Sequence, residues 1–253
     1  MKAIKPEPIY RNGLHYDVQH KNYTIDIPFY LRQVKKYGDP VLELACGTGR
    51  IAIPIAERGY KITGLDISDS MLAQARKNVL EKKLNIRFIK ADCRDFRLNQ
   101  KFKVILFPFN SIAHLHTFED IKSCFICVRK HLKRNGRFIV DMFNPRLDIL
   151  MRDPKKRRPV SKYPNPYGKG MVVISENNVY DRAAQISHIK WHYKIGNQRE
   201  KTLPLDMRIF FPQELDALLR NNGFQIEHKY GDYDETPFKP DSPKQIIVCR
   251  AVS

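Results

Sequence analysis

No run of apolar residues in these 253 approaches the length of a membrane span, and the N-terminal M-K-A-I-K-P-E-P lacks the apolar core of a secretory signal. A soluble, cytoplasmic protein is the expectation. Cysteine is sparse: the five are an odd number and scattered, which argues against a disulfide framework and for a reducing compartment. Cys124 and Cys127 form a lone C-x-x-C at helical spacing; with no second pair they point to core packing rather than zinc, and no metal is expected. Internal repeats and low-complexity tracts are absent. Acidic residues are also in deficit, 27 against 45 Lys and Arg, and the resulting formal charge of +18 is the electrostatic footprint of a nucleic-acid binder. The basic residues are spread along the chain, however, and the one dense cluster, Lys155-Lys156-Arg157-Arg158, falls in a proline-bounded stretch that reads as a solvated loop. An acidic substrate or polyanionic partner fits the same charge. With 42% hydrophobic residues the body is globular, and the length allows one large domain or one domain carrying an insertion.

What is present is a glycine turn at the end of an apolar strand. Residues Val41 to Arg50 read V-L-E-L-A-C-G-T-G-R, and Asp66 closes the next apolar run, K-I-T-G-L-D. Gly47 and Gly49 remove the Cβ atoms that would block a ligand from the backbone, and the helix that follows presents its first amides to that ligand. G-T-G-R-I-A fits the dinucleotide pattern, and Asp66 stands at the spacing of a ribose-binding acid. Glu43 discriminates. A second negative charge inside the strand gains nothing beside a pyrophosphate, but it suits a cationic ligand, and S-adenosylmethionine carries a sulfonium and an ammonium group with no phosphate to be repelled.

Strands and helices then alternate: strand 41–45, helix 51–58, strand 61–65, helix 70–82, strand 86–90, strand 102–107, helix 118–132 and strand 136–142, after a helix over 24–36. Such alternation predicts a parallel sheet with helices on both faces and ligands at the carboxyl ends of its strands. After Asn144-Pro145 three segments rich in β-branched and aromatic residues, 171–180, 185–195 and 201–211, read as antiparallel hairpins. Pro212 starts a helix, Asn222-Gly223 ends it, and strands 224–230 and 245–251 finish the chain. The expected division is 1–145, an N-terminal cap plus the cofactor-binding core; 146–210, an inserted antiparallel β lid; and 211–253, the completion of the core.

The motifs in this order resemble the class I S-adenosylmethionine-dependent methyltransferases, in particular their small-molecule branch: E-L-A-C-G-T-G at 43–49, L-D-I-S-x-x-M-L at 65–72, A-D at 91–92, F-N-S-I-A-H-L at 109–115 and L-K-R-N-G-R-F at 132–138. The resemblance spans nearly the whole chain. It implies a Rossmann-like, doubly wound seven-stranded sheet, mostly parallel with an antiparallel last strand, carrying the β lid. It implies a cofactor site built from Glu43, Ala45, Gly47, Gly49, Asp66, Ile67, Met71, Asp92, Cys93, Phe109 and Asn110, with Tyr16 and Tyr23 closing over it. Glu43 orients the glycine loop or the ammonium group, Asp66 takes both ribose hydroxyls, and Ile67 and Met71 flank the adenine. Asp92 and the Cys93 amide meet the adenine edge, and Asn110 faces the methionine part.

The acceptor is less legible. The segment after the fourth strand is F-P-F-N, not the N-P-P-[YF] or D-P-P-[YF] box of adenine N-methyltransferases, and it has no Pro-Cys nucleophile for cytosine C5. Displacement at a sulfonium needs mainly orientation. If the acceptor is a neutral amine or a hydroxyl, His114 is the nearest candidate base, with Tyr16 beside it, and packing alone explains either equally well. Trp191, Tyr193, Arg208 and Phe210 alternate along the inserted strands and line an acceptor pocket, a dimer face or the main sheet. A small-molecule N- or O-methyltransferase, a monomer or a homodimer through the inserted sheet, is the expectation. An RNA methyltransferase and a non-catalytic cofactor-binding regulatory protein stand as alternatives.

Overall fold

Two helices precede the sheet. Asn12 caps Gly13–His20 (α1), its side-chain oxygen accepting from the His15 amide at 3.1 Å, and Ile27–Tyr37 (α2) follows. The structure is a computed structural model that describes residues 5–252; the first four residues of the N-terminal segment read above, and Ser253, lie outside the described residues. The short G-L-H-Y-D-V-Q-H helix has no apolar stripe to announce it in the sequence. It forms by docking, and Gly13 permits the approach: a Cβ there would stand 2.6 Å from Gln74 Cβ and 2.9 Å from the Ser70 carbonyl.

The core then runs Val41–Leu44 (β1), Ala52–Glu57 (α3), Ile62–Asp66 (β2), Asp69–Glu81 (α4), Arg87–Lys90 (β3), Phe102–Phe107 (β4), Phe118–His131 (α5) and Leu132–Phe143 (β5). Ser68 and Thr117 cap α4 and α5, accepting from the amides of Met71 and Asp120 at 3.4 and 3.1 Å. β5 begins four residues before the expected Gly136, because Leu132 already pairs with Phe102 of β4. After it come Leu147–Leu150 (α6), then Arg158–Pro164 (β6), Met171–Asp181 (β7), Ile186–Ile195 (β8) and Lys201–Arg208 (β9). Pro212–Asn221 (α7), Phe224–Tyr230 (β10) and Lys244–Ala251 (β11) close the chain.

Seven strands form one sheet in the order β10-β11-β5-β4-β1-β2-β3, in which β11 runs antiparallel to both of its neighbours and the rest are parallel. The sheet separates two apolar layers. One packs α5 and α7 on it through Phe125, Val128, Leu215 and Leu219, and the other packs α2 and α3 through Phe29, Val34, Ile51 and Ile55. Leu42, Leu44, Val104 and Leu106 in the central strands are fully buried, which is worth roughly 1.5–3 kcal/mol for each side chain.

A second, antiparallel sheet has the order β6-β7-β8-β9. Three of its strands match the expected hairpins; β6 does not, and it takes up Arg158, the last residue of the basic cluster read as loop. Its P-V-S-K-Y-P lies between prolines that mask a strand, and only pairing with β7, with a register shift between Pro159 and Ser161, reveals it. Among the described residues no helix is long and apolar enough to cross a membrane.

Candidate functional site

The glycine loop leaves β1 with Ala45 and Gly47 both in the left-handed region, at φ 53° and 55°. The first glycine opens the loop's face: a Cβ on Gly47 would point at the Met71 methyl, 3.2 Å away. Asp66, at the end of β2, fastens this loop, accepting the Gly47 amide on Oδ2 and the Ser68 amide on Oδ1, each at 2.8 Å. Burial raises its carboxyl above the ordinary value, while these amides and that of Ile67 pull it back. A carboxylate oxygen has two lone pairs, so one remains on each for a ligand.

Above the carboxyl ends of β1, β2, β3 and β4 lies a cavity of about 320 Å³, in the range of small-molecule and cofactor clefts. Of the thirteen cofactor candidates, nine line it: Tyr16, Ala45, Gly47, Asp66, Ile67, Met71, Asp92, Cys93 and Phe109. Ile67, Met71 and Leu115 supply apolar walls, and the N-terminal segment roofs it with Glu7, Tyr10 and Tyr16. Ser68 Oγ fastens that roof by donating to the Tyr10 carbonyl at 2.9 Å.

Asp92 is gripped by Arg94. The guanidinium reaches it through Nε and Nη2 (2.7 Å), and the Arg94 amide donates to Oδ1 at 2.9 Å. Burial alone would raise Asp92, but this bonding outweighs it and holds the carboxyl below its ordinary value. Arg94 also pairs with Asp120, which lines the same cavity. The result is a wall of fixed charge at the end of β3.

Four of the candidates lie off the cavity, each for a visible reason. Glu43 is 2% exposed behind the glycine loop; burial drives its carboxyl well above the ordinary value, against Arg50 and the Ala52 amide, and Oε2 has no hydrogen-bond partner. Its place is beneath the loop, not beside a ligand. Gly49 packs on Ile53 and Phe88 on the far side of the turn. Asn110 turns its side chain away from the cleft, Oδ1 accepting the Phe143 amide at 2.7 Å. Tyr23 stands behind Phe109, with ring centroids 5.1 Å apart.

Of the three places open to the lid residues, Arg208 and Phe210 take the main sheet. Arg208, 3% exposed, donates to the His116 carbonyl at 2.9 Å and to Glu214 at 2.7 Å, and lies over the Phe118 and Phe210 rings. It and the fully buried Phe210 join the two sheets instead of lining a pocket. Trp191 donates to Glu176 at 2.9 Å, and Tyr193 packs with Tyr163 and Val172, so neither touches the cavity. Alternation along β8 and β9 sets the face, but which face meets the core depended on β6 and on α7.

His114 does line the cavity, from the single helical turn Ser111–His114 after β4. Burial lowers its pKa from 6.5 to about 4, so the ring is neutral near pH 7, and its Nε2 stands 3.0 Å from the Tyr10 hydroxyl. A ring that holds a proton so weakly is a poor base. Tyr16, also sequestered, has its hydroxyl pushed up to about 12 by burial, against the pull of Arg50.

Three contributors escaped the sequence reading. Tyr10 holds His114; Arg50, the last residue of the glycine motif, is clamped by the fully buried Asp26 at 2.6 and 2.7 Å and lies 4.7 Å over the Phe109 ring. Asp141 on β5 is the third. Phe109 and Asn110 are both left-handed, at φ 55° and 59°, a conformation costing about 1–2 kcal/mol for each residue. Asp141 Oδ2 offsets it, accepting from the Phe109 amide at 3.1 Å and from the hydroxyls of Tyr30 and Tyr233, while Oδ1 meets Lys244 at 3.1 Å. These partners lie far apart in the chain, and only an isolated D in F-I-V-D-M-F hinted at them. Among the described residues no group of three His, Cys, Asp or Glu side chains is placed to hold a metal ion, and Cys124 and Cys127 are buried in α5.

Comparison with known proteins places this geometry. A methyltransferase-domain family model matches residues 41–136. The glycine/sarcosine N-methyltransferase of Aphanothece halophytica is 27% identical over 237 residues, covering 91% of this chain and 83% of that protein. The CcbJ methyltransferase of Streptomyces caelestis superposes with a TM-score of 0.79 at 22% identity, covering 90% of each chain. S-adenosylmethionine-bound CalS10, an amino pentose methyltransferase from Micromonospora echinaspora, superposes with a TM-score of 0.70 at 16% identity over the full length of both.

Proposed function

The chain is an S-adenosylmethionine-dependent methyltransferase, and on that premise we propose that it methylates a small-molecule acceptor, at nitrogen before oxygen, in the cavity roofed by Tyr10 and Tyr16. The observation that carries this reading is the sign of the cavity. In a chain of net charge +18, its lining holds four carboxylates against one lysine, Lys5; Arg94 pairs with Asp92 and Asp120, and Glu7 and Asp66 leave the excess of negative charge. A cleft of one sign with low-dielectric walls concentrates ligands of the opposite sign, here a cationic methyl donor and an amine. The names of the glycine/sarcosine and amino pentose enzymes point the same way.

The cavity suits the donor on its own geometry. Each Asp66 oxygen has a lone pair left for a ribose hydroxyl, Ile67 and Met71 flank a flat ring system, and the bare face of Gly47 admits a chain against the backbone. Cys93 offers its amide, and Asp92, held still by Arg94, the edge of a ring amine. The Arg50 guanidinium, clamped by Asp26, backs the cavity wall beside Tyr16 and over Phe109, and Glu43 stiffens the loop from behind. S-adenosylmethionine supplies a methyl group already activated on its sulfonium, transferred to an acceptor lone pair by in-line displacement.

The residues' remaining task is orientation and exclusion of water. Tyr10 and neutral His114 form a hydrogen-bonded pair that positions the acceptor, and because His114 is a poor base an amine must arrive unprotonated. The rate therefore rises with pH until the acceptor itself is deprotonated. The division we propose is 1–145, 146–210 and 211–253: cap and donor site, an inserted sheet that backs the cap where Tyr163 meets His15 at 3.0 Å, and the closing helix and strands. RNA is the second reading, favoured by the +18 charge. Radiolabelled methyl transfer to fractionated amines, hydroxy compounds and RNA, with Asp66→Ala as control, tests both. Label in the amine fraction that Asp66→Ala abolishes supports the proposal; label only in RNA overturns it.

A further inference from the structure

A second cavity, of about 120 Å³, opens where α6 and the end of β5 meet the inserted sheet, and no residue lines both it and the first. Its floor is apolar, with Phe143, Ile149, Leu150 and Met207 among the lining side chains, and its rim carries Arg152, Lys156 and Arg158. Among the described residues none of these three cations forms an ion pair, although at least fifteen such pairs are formed elsewhere among them. Their neighbour Arg157 does pair, with Glu200 at 2.9 Å, and is not in the lining. The basic cluster is thus divided: Arg157 is neutralised outside, Lys155 stands off the lining, and the exposed Lys156 and Arg158 border the mouth of the cavity with the half-buried Arg152.

The one acid in the lining is Glu176. It sits opposite Arg158 in the β6–β7 register, yet its Oε2 accepts the Trp191 indole N–H at 2.9 Å and makes no ion pair with the arginine. The remaining polar groups are satisfied within the sheet: Asn177 donates to the Pro154 carbonyl at 2.8 Å and Asn178 to Ser187 at 3.1 Å. Three cations facing one carboxylate leave a net positive site beside an apolar floor. Two arginines and a lysine carry the donors that match phosphate oxygens, and the apolar floor beside them suits the organic part of a compact anion.

We propose that this cavity binds a small organic phosphate, its anionic head among Arg152, Lys156 and Arg158 and its apolar part against Phe143, Ile149 and Met207. The two cavities are neighbours across short bridges: the Phe143 amide donates to Asn110, next to Phe109, and His116 of the donor lining donates to the Asp206 carbonyl at 3.2 Å and accepts from Arg208 at 2.9 Å, on either side of Met207. The phosphate site does not depend on which acceptor is methylated.

Trp191, the single tryptophan, is bonded to the lining residue Glu176 and reports occupancy through its emission. Phenyl phosphate titrated into the full chain should give a saturable change that phenol does not, weakened at least tenfold in Arg158→Glu and unchanged in Arg157→Glu. Adenosylhomocysteine titrated into the same variants by calorimetry confirms that each is folded, independently of any methyl acceptor; if Arg158→Glu does not bind it, Arg152→Gln carries the test in its place. No saturation by phenyl phosphate, equal binding of phenol, or equal weakening by Arg157→Glu would overturn the proposal, the last because it would show only diffuse attraction to a basic surface.

Discussion

The donor half of the molecule and its inserted sheet were built under different constraints. In the donor half, short strands end in glycines and acids at positions that the parallel sheet brings to one edge, so that Gly47, Asp66 and Asp92 meet because β1, β2 and β3 are neighbours. The inserted sheet has no such edge. Its aromatics and cations acquire partners through antiparallel register and through the helices it covers, and residues that look like a pocket become joints: Arg208 clamps Glu214 and the His116 carbonyl, and Phe210 is core. Local motifs therefore speak for the donor half and are nearly silent about the lid.

The largest effect that would sharpen this contrast is at Asp141. Replacing it by Ala leaves Lys244 without its buried partner and frees the left-handed Phe109–Asn110 turn; removing one member of such a pair costs about 3–5 kcal/mol, read as a fall in the chemical-denaturation midpoint. Next is Asp66→Ala, which removes two anchoring bonds to the loop together with the acceptors for the donor ribose. Adenosylhomocysteine affinity should fall by about 10²–10⁴, at roughly 1.5–3 kcal/mol for each of two charged hydrogen bonds, and calorimetry showing wild-type affinity would refute the ribose assignment.

A smaller effect belongs to His114. Its folded-state pKa is depressed to about 4 from 6.5, so its contribution to stability is full above pH 6.5 and is lost as the pH falls toward 4, where the unfolded chain takes up a proton that the folded one refuses. His15, His20 and His192 are lowered by burial as well, so His114→Gln should flatten the acid limb of the stability curve without abolishing it. Methyl transfer by this variant should drop about tenfold or less, whereas loss of a general base costs roughly 10²–10⁴. The smallest effect is expected at Trp191→Phe: with its ring away from the donor cavity, label transfer should stay within about twofold of wild type, and a larger loss would return the lid aromatics to the acceptor pocket.

Much of the fold was legible. Periodicity placed α4, α5 and β4 almost to the residue, since burial on one face imposes a spacing that the residues display. Three elements escaped: the four-residue α6 is too short to show a period, and α1 and β6 lack one and exist because something else receives them, α4 accepting α1 over Gly13 and β7 accepting the proline-bounded β6. At the site, nine of the thirteen donor candidates line the cavity. Asn110 stands off the cavity because its left-handed backbone turns the side chain toward Phe143, and Glu43 because its side chain is buried behind the glycine loop, the loop-side place that was one of its two expected roles.

By itself the sequence determined the doubly wound core, the glycine turn and the acids that make a cleft for a cationic methyl donor, because these depend on strand ends and turns whose chemistry is local. Only the tertiary structure decided that Tyr10 meets His114 across 104 residues, that Asp141 steadies the turn after β4, and that half of a basic cluster borders a cavity while Arg157 is neutralised outside it. Contacts between distant segments are set by which faces exclude water together, and no short stretch of residues encodes that choice.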